Sequence, residues 1–127
     1  MLIRIAIEDD QSSLAELFNQ YRQSLGQAAE LAACEDFIQS RLLENDSVIL
    51  VAIFEQKIVG FIQLYPSYSS LLLKPIWYFD DIFVIESLRK QGVATGLIEK
   101  AKQLAKETNV LAVRRTDLSD HGFVLLE

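Results

Sequence analysis

The hydrophobic period of the chain changes once between Ile76 and Lys106, and this change constrains the fold more than any other feature of the sequence. Residues 76–85 form a run of aromatic and β-branched side chains, which is typical of a buried strand. From Val93 onward, apolar residues recur at helical spacing and charged residues fill the opposite face. Only a short loop ending in Gly92 separates the two patterns. The segment therefore predicts a strand, a loop and a helix in direct succession.

The rest of the chain alternates between the same two periods. In chain order it predicts a strand over 2–7, helices around 13–21 and 34–42, the two strands of a hairpin over 48–54 and 57–65, a loop over 66–75 and a last strand over 110–116. The resulting order is β-α-α-β-β-β-α-β, with no internal repeat or linker. Such an order indicates one α/β domain with a mixed sheet and helices on its faces.

Composition argues against several classes of protein. Half of the 127 residues are apolar, which is enough for a core without disulfides or metal. Because the single cysteine, Cys34, cannot form an internal disulfide and residues 8–10 are acidic where a signal peptide needs basic ones, we expect a cytoplasmic protein. The longest apolar run, residues 48–54, is too short to span a bilayer. The net charge of −6 argues against nucleic acid as a partner and favours a cationic small molecule.

The loop before the last helix has the composition of an anion site. The first turn of a helix leaves backbone N–H groups without partners, and residues 91–94 supply no Ser, Thr, Asp or Asn to cap them. Gly92 permits close approach to the backbone, while Arg89 and Lys90 add positive charge in an acidic chain. These features predict a phosphate or pyrophosphate ligand. On spacing alone, Gly92 is equally consistent with an ordinary turn and the two cations with a solvated surface.

The same residues resemble the acetyl-CoA site of the GCN5-related N-acetyltransferase (GNAT) superfamily. Arg89-x-x-Gly92-x-Ala94 matches the pyrophosphate motif R/Q-x-x-G-x-G/A of that superfamily. Tyr-Phe-Asp-Asp-Ile-Phe-Val over 78–84 resembles its fourth strand in the diamine (spermidine/spermine-type) acetyltransferase branch. The resemblance implies a GNAT-like fold, with a mixed, mostly antiparallel sheet flanked by helices in a single domain over 1–127. It also implies acetyl-CoA as the cofactor.

The resemblance assigns roles to two groups of residues. Backbone groups of the strand are expected to bind the pantetheine arm, namely Ile82, Phe83 and Val84. The loop and the first helical turn are expected to surround the pyrophosphate with Arg89, Lys90, Gln91, Gly92, Val93, Ala94 and Thr95. In this superfamily the next strand diverges from the fourth one and leaves a gap for the thioester, so residues 110–113 are expected to form the other wall.

Two adjacent carboxylates, Asp80 and Asp81, are the candidate catalytic residues. Inside an aromatic strand each must be hydrogen-bonded, paired or facing a wet cleft. Because neighbouring strand residues point to opposite faces, we expect Asp80 nearer the substrate amine and Asp81 on the structural or cofactor side, unless a bulge reverses the faces. Ordinary salt bridges or caps explain them equally well. One histidine and one cysteine make no familiar metal cluster, so no metal is expected.

Four aromatic residues surround the predicted loop over 66–75, namely Tyr65, Tyr68, Trp77 and Tyr78. Rings in such a position are consistent with an acceptor pocket that holds a cationic amine by cation–π contact. They are also consistent with ordinary packing at the end of a strand.

The resemblance ends near residue 116. The superfamily normally continues with an Asn-containing turn, a helix that carries a tyrosine near the thiol of coenzyme A, and two closing strands, a pattern not found in residues 117–127. We therefore expect the part after about 116 to be missing or altered. A last strand over 110–116 is then an open sheet edge, which predicts pairing with a second copy and a homodimer.

Three hypotheses about function follow. The first is an N-acetyltransferase that transfers the acetyl group of acetyl-CoA to a primary amine of a small cationic molecule, such as a polyamine. The second is a truncated or catalytically weak GNAT domain that binds acetyl-CoA without efficient turnover. The third is an unrelated α/β module that binds another anion at the start of its last helix.

Overall fold

The computed structural model describes residues 1–108 and 110, and the backbone of residues 113–117 and 122–126. Its strands are β1 (Leu2–Ile5), β2 (Val48–Phe54), β3 (Lys57–Ser69), β4 (Lys74–Val84), β5 (Val113–Asp117) and β6 (Gly122–Leu126). Its helices are α1 (Gln11–Ser24), α2 (Leu31–Glu44) and α3 (Val93–Glu107), with 3-10 turns at Glu8–Asp10 and Glu86–Leu88. The six strands form one sheet in sequential order. All neighbours are antiparallel except β4 and β5, which are parallel. The mixed, mostly antiparallel sheet expected from the sequence is confirmed.

The sheet separates two hydrophobic cores because alternate residues of each strand point to opposite faces. In β2, Leu50 and Ala52 belong to the core under α3, whereas Ile49 and Val51 belong to the core under α1 and α2. Each of the three helices therefore buries one apolar stripe against the sheet. None of the helices in the described residues has the length and apolar composition needed to cross a bilayer.

A β-bulge interrupts β4 at the two candidate carboxylates. Gln63 of β3 pairs with Asp81, but Tyr65 pairs with Tyr78, so Leu64 alone lies opposite the two residues 79–80. Such an extra residue bends a strand and re-aims the side chains beyond it. The bulge decides which carboxylate faces which side of the sheet.

Strands β4 and β5 pair over only three residues and then separate. Residues 77–79 pair with residues 113–115, whereas residues 116–117 continue β5 without a partner in β4 among the described pairs. From residue 80 to residue 84, β4 therefore keeps its ladder with β3 on one side and faces a gap on the other. The diverging strands expected from the resemblance are present.

The loop predicted over 66–75 is wrong. β3 continues to Ser69 and β4 begins at Lys74, with Pro66 opposite Trp77 and Tyr68 opposite Pro75. The β2 ladder ends at the pair Val48 and Leu64, so the outer part of β3 has one edge without a described partner. A proline, which lacks an N–H donor, is tolerated at such an edge.

The open edge predicted for β5 is also wrong. β6 pairs antiparallel with β5 along its whole length, from Val113 with Leu126 to Asp117 with Gly122. The chain thus covers this strand itself, which removes the argument that led to a homodimer. Residues 111–112 of the predicted strand over 110–116 lie outside the described residues.

Candidate active site

The loop between β4 and α3 presents backbone N–H groups at the start of the helix. Lys90 and Gly92 have φ angles of 62° and 87°, in the left-handed region that glycine adopts readily. Gly92 is the N-cap of α3, and no side chain caps this helix. The first helical hydrogen bond joins the N–H of Gly96 to the carbonyl of Gly92 at 2.9 Å. The N–H groups of residues 93–95 thus have no acceptor within the helix, and together with the helix dipole they form an anion site.

A cavity of about 250 Å³ borders these amides. It is lined by Val84, Leu88, Arg89, Lys90, Gly92, Val93, Ala94 and Thr95. A Cβ added to Gly92 would meet no atom within 4 Å, so the space beside this residue is open to a ligand. The uncapped amides and the open space fit the pyrophosphate of coenzyme A.

Arg89 is fixed at the edge of this cavity. Its Nε donates a hydrogen bond to the carbonyl of Val84 at 2.8 Å, and its guanidinium carbon lies 5.2 Å from the centre of the Phe83 ring. These contacts tie the loop to the end of β4. They also hold a positive charge beside the anion site, where it attracts a phosphate. Gln91 does not line this cavity, and its side chain donates to the carbonyl of Ser87 at 3.3 Å.

A groove of about 460 Å³ continues from the loop along β4. Its β4 wall consists of Ile82, Phe83 and Val84, the three residues predicted to bind the pantetheine arm. Its other lining residues are Tyr21, Ser24, Leu25, Arg89 and Ala94. It shares Val84, Arg89 and Ala94 with the loop cavity, so the two are adjacent.

A third cavity, of about 400 Å³, adjoins the groove at Tyr21, which lines both. We call it the acceptor cavity. Most of its wall is aromatic or apolar, and Arg22 and Glu30 form an ion pair of 3.1 Å in it. Its lining residues are Phe18, Tyr21, Arg22, Glu30, Ala33, Cys34, Phe37, Gln63, Tyr65 and Asp81.

Three donors fix the carboxylate of Asp81 in the acceptor cavity. The hydroxyl of Tyr21 donates to Oδ1 at 2.8 Å, and the hydroxyl of Tyr65 donates to Oδ2 at 2.8 Å. Nε2 of Gln63 lies 3.3 Å from the same Oδ2. Gln63 is fully buried, and its Oε1 accepts a hydrogen bond from Ser47 at 3.2 Å. The carboxylate is thus held in one orientation by β3 and by α1.

Tyr65 is held as a neutral donor. Burial raises the pKa of its hydroxyl well above the ordinary value of 10.0, and the hydrogen bond to Asp81 raises it further. Each effect disfavours a phenolate in an apolar site beside a carboxylate. Tyr65 therefore donates to Asp81 throughout the physiological range of pH.

The positions of the two candidate carboxylates are the reverse of those predicted. Asp81 lines the acceptor cavity, whereas Asp80 is exposed and does not line it. The bulge at residues 79–80 is the cause, because the extra residue shifts the alternation of side chains. Of the two candidate carboxylates, Asp81 alone lines this cavity.

The four aromatic residues around the β3–β4 hairpin have different environments. Tyr65 lines the acceptor cavity, and the ring of Tyr78 lies 5.3 Å from it, centre to centre. Trp77 is buried in the core under α3, and Tyr68 is 81% exposed. Ordinary packing therefore describes Trp77, and of the four residues only Tyr65 lines the acceptor cavity.

Sequence reasoning missed Tyr21 and Gln63 as members of the site. Tyr21 completes the apolar stripe of α1, a pattern that predicts a helix face against the sheet but no contact with a ligand. Gln63 is the only polar residue in the apolar run 58–64, and a buried amide of this kind needs hydrogen-bond partners. That isolated polar side chain was the available signal.

Comparison with known proteins identifies the family. Residues 12–123 match the acetyltransferase (GNAT) family. The chain belongs to this family. The uncharacterized N-acetyltransferase YhfO of Bacillus subtilis is 41% identical over 105 residues, which cover 83% of this chain and 70% of that protein. A probable acetyltransferase of Haemophilus influenzae is 38% identical over 96 residues, which cover 75% of this chain and 66% of that protein.

The fold agrees with this assignment. The crystal structure of a probable acetyltransferase superposes with a TM-score of 0.86 at 38% sequence identity, covering 94% of this chain and 81% of that chain. The chain spans about two thirds of each of the two bacterial relatives. It is thus an acetyltransferase domain of GNAT type, and acetyl-CoA is the acyl donor that GNAT acetyltransferases use.

Proposed function

We propose that this protein transfers the acetyl group of acetyl-CoA to a primary amine of a small cationic molecule. The observation that carries the proposal is that three spaces lie next to one another, from the anion site through the groove to the acceptor cavity, with shared lining residues at each junction. The first suits a diphosphate, the second a thin flexible arm and the third a small acceptor. An acyl donor bound along them would place its reactive end near Tyr21, where groove and acceptor cavity meet.

The loop and β4 hold the donor in this proposal. Amides of residues 93–95 bind the diphosphate, and Arg89 adds charge beside it. The backbone N–H and C=O groups of residues 82–84 point partly towards β3 and partly towards the gap beside β4. The groups that point towards the gap bind the pantetheine amides. A predicted acetyltransferase of Clostridium acetobutylicum, with a TM-score of 0.74 at 17% identity, has been solved with acetyl-CoA.

The acceptor cavity suits an amine with a compact, largely apolar body. Asp81 supplies a fixed negative charge for an ammonium group, and the rings of Phe18 and Phe37 supply an apolar wall. Of the other charged lining residues, Arg22 and Glu30 already pair with each other. A diamine or polyamine arm and other alkylamines meet these requirements, whereas an anionic acceptor does not.

The nucleophile must be the neutral amine, because a protonated amine has no lone pair to attack the thioester. Activity is therefore expected to rise with pH as more of the amine is deprotonated.

The buried free thiol of Cys34 suits a reducing compartment, which supports the cytoplasmic location expected from the sequence.

Two measurements test the proposal and separate it from its alternatives. A thermal-shift comparison of acetyl-CoA, ATP and NAD is expected to give stabilisation by acetyl-CoA alone, whereas stabilisation by ATP or NAD alone favours another anion-binding module. A thiol-release assay with acetyl-CoA and a panel of amines is expected to detect turnover with cationic acceptors. Stabilisation by acetyl-CoA without turnover on any amine favours a domain that binds the donor without efficient catalysis.

A further inference from the structure

We infer that Tyr21 is the general acid of the proposed reaction, that it protonates the departing sulfur, and that Asp81 resupplies its proton. The inference rests on the proposed function. It starts from the position of Tyr21, which lines both the groove for the acyl donor and the acceptor cavity. Tyr65 donates to the same carboxylate at the same distance of 2.8 Å, but it lines only the acceptor cavity. Of these two phenols, only Tyr21 borders the space assigned to the thioester.

Packing holds the Tyr21 ring at this junction. The ring stands edge-on to Phe61 at 5.5 Å and to Phe18 at 6.2 Å, centre to centre. On the groove side it lies 5.8 Å from the ring of Phe83. The hydroxyl is fixed by the 2.8 Å hydrogen bond to Oδ1 of Asp81, a residue sixty positions away. The side chain is therefore pre-organised between donor and acceptor rather than placed there by chance exposure.

The bound thioester supplies an acetyl carbon and a sulfur that leaves with its electron pair. Before the reaction the single Tyr21 proton is donated to ionised Asp81, so the phenol cannot also donate to sulfur. When the amine nitrogen forms its bond to the acetyl carbon, Asp81 takes the proton that the nitrogen sheds. Protonated Asp81 then donates to the Tyr21 oxygen, and the Tyr21 proton turns towards the groove.

The proton balance closes in one cycle. As the carbon–sulfur bond breaks, Tyr21 gives its proton to sulfur and Asp81 gives its proton to the Tyr21 oxygen. The amine has lost one proton, the thiol has gained one, and both side chains return to their starting states. The ordinary pKa of a phenol is about 10 and that of an alkyl thiol about 8.5, so Tyr21 alone protonates a thiolate poorly. Immediate resupply by Asp81 overcomes this mismatch.

An equilibrium titration tests the contact between Tyr21 and sulfur without catalysis. The titration uses an Asp81→Asn background, which removes the charged acceptor of the Tyr21 proton. The ultraviolet absorbance of the thiolate of bound coenzyme A is followed against pH for this variant alone and for the same variant with Tyr21→Phe or Tyr65→Phe added. A hydroxyl that donates to sulfur stabilises the thiolate, so the thiol of bound coenzyme A is expected to titrate at a higher pH in the protein with Tyr21→Phe added than in the other two proteins. Equal titration in all three overturns the assignment.

A second measurement compares two leaving groups. Tyr21→Phe is expected to lower kcat with acetyl-CoA by about 100-fold or more, the usual contribution of a general acid. With acetyl-seleno-CoA, whose selenolate leaves without protonation, most of this loss is expected to disappear. Tyr65→Phe removes a matched hydrogen bond from Asp81, so its loss is expected to be the same with both donors. If Tyr21→Phe lowers kcat by the same factor with both donors, Tyr21 only orients Asp81 and the inference is overturned.

Two controls separate the possible failures. Both substitutions keep the ring, and thermal melting of each variant checks that its fold is retained. If the wild-type protein binds coenzyme A but acetylates no amine, the proposed function fails, whereas the titration still decides whether Tyr21 contacts sulfur.

Discussion

A Cβ added to Gly60 would lie 3.0 Å from the carbonyl oxygen of Phe83, a distance that real Cβ atoms rarely reach. The same atom would lie 3.3 Å from Val84 and 3.5 Å from Val93. At Gly60, β3 therefore approaches β4 and the first residue of α3 so closely that only a hydrogen atom fits in place of a side chain. Since Phe83 and Val84 line the groove and Val93 lines the anion site, this close approach sets the geometry of the proposed donor site.

Gly60→Ala is therefore expected to move β4 away from β3 and to destabilise the protein by about 1–3 kcal/mol, the usual cost of overpacking. Gly96→Ala is the matched control. Its Cβ meets only the flexible end of Ile3, at 3.1 Å, and alanine gains about 1 kcal/mol over glycine in a helix. Its net effect is expected to stay within about 1 kcal/mol. Urea unfolding of both variants measures the difference, and equal destabilisation would contradict the steric argument.

Gly92→Asp is expected to abolish detectable binding of coenzyme A, because it places a carboxylate against the proposed diphosphate. Gly92→Asn is the matched control, since Asn and Asp both tolerate the φ of 87° better than most residues and both cap a helix. The charge alone then distinguishes them. Affinity measured by calorimetry is expected to be at least about tenfold weaker for Asp than for Asn, or about 1.4 kcal/mol. Equal affinities would mean that the anion does not bind at this loop.

Asp81→Asn is expected to lower kcat/KM for the acceptor by at least about tenfold, because charged hydrogen bonds contribute roughly 1.5–3 kcal/mol. The KM for acetyl-CoA should change little. Asp80→Asn makes the same change of charge one residue away on an exposed side chain and is expected to have an effect within about twofold. Steady-state kinetics with both substrates varied decides between them. A larger effect at Asp80 would restore the original assignment of the two carboxylates.

The parts of the site that could be predicted from sequence are local in the chain. Residues 82–95 run without interruption from β4 to α3, so the amides and the groove wall follow from one strand, one loop and one helix start. The order of helices and strands from β1 to β5 follows from the alternation of hydrophobic periods, whereas β6 was not predicted. These features need no knowledge of how distant segments meet.

The parts that could not be predicted depend on register and on long-range contacts. The bulge opposite Leu64 arises from the pairing of β3 with β4, and it alone reverses the faces of Asp80 and Asp81. The hydrogen bond between Tyr21 and Asp81 joins residues sixty positions apart, which no periodicity specifies. Pro66 and Pro75 suggested a loop, although a hairpin accommodates both where its outer edges have no partner among the described pairs.

The last prediction concerns the stability of the N-terminal part of the fold in acid. Arg4 donates two hydrogen bonds to the Asp10 carboxylate, at 2.7 and 3.0 Å, and the N–H of Ile7 donates a third at 2.8 Å. The hydrogen bonds from Arg4 lower the pKa of Asp10 below its ordinary value of 3.8, although burial opposes this shift. The carboxylate thus fixes β1 against the start of α1.

The sign of the pH dependence follows from this lowered pKa. The unfolded chain takes up the Asp10 proton at a higher pH than the folded protein does, so the stabilisation is complete above pH 3.8 and is lost as pH falls through the folded-state pKa. Asp10→Asn is expected to cost about 1–2 kcal/mol near neutral pH, since Asp10 is buried but Arg4 is partly exposed. The gap in unfolding free energy between this variant and the wild-type protein should narrow below about pH 4. Asp9→Asn, at an exposed position, serves as the control, and its unfolding free energy should differ little from that of the wild-type protein at every pH. If the difference for Asp10→Asn stays constant down to the lowest pH at which the protein folds, the proposed linkage is excluded.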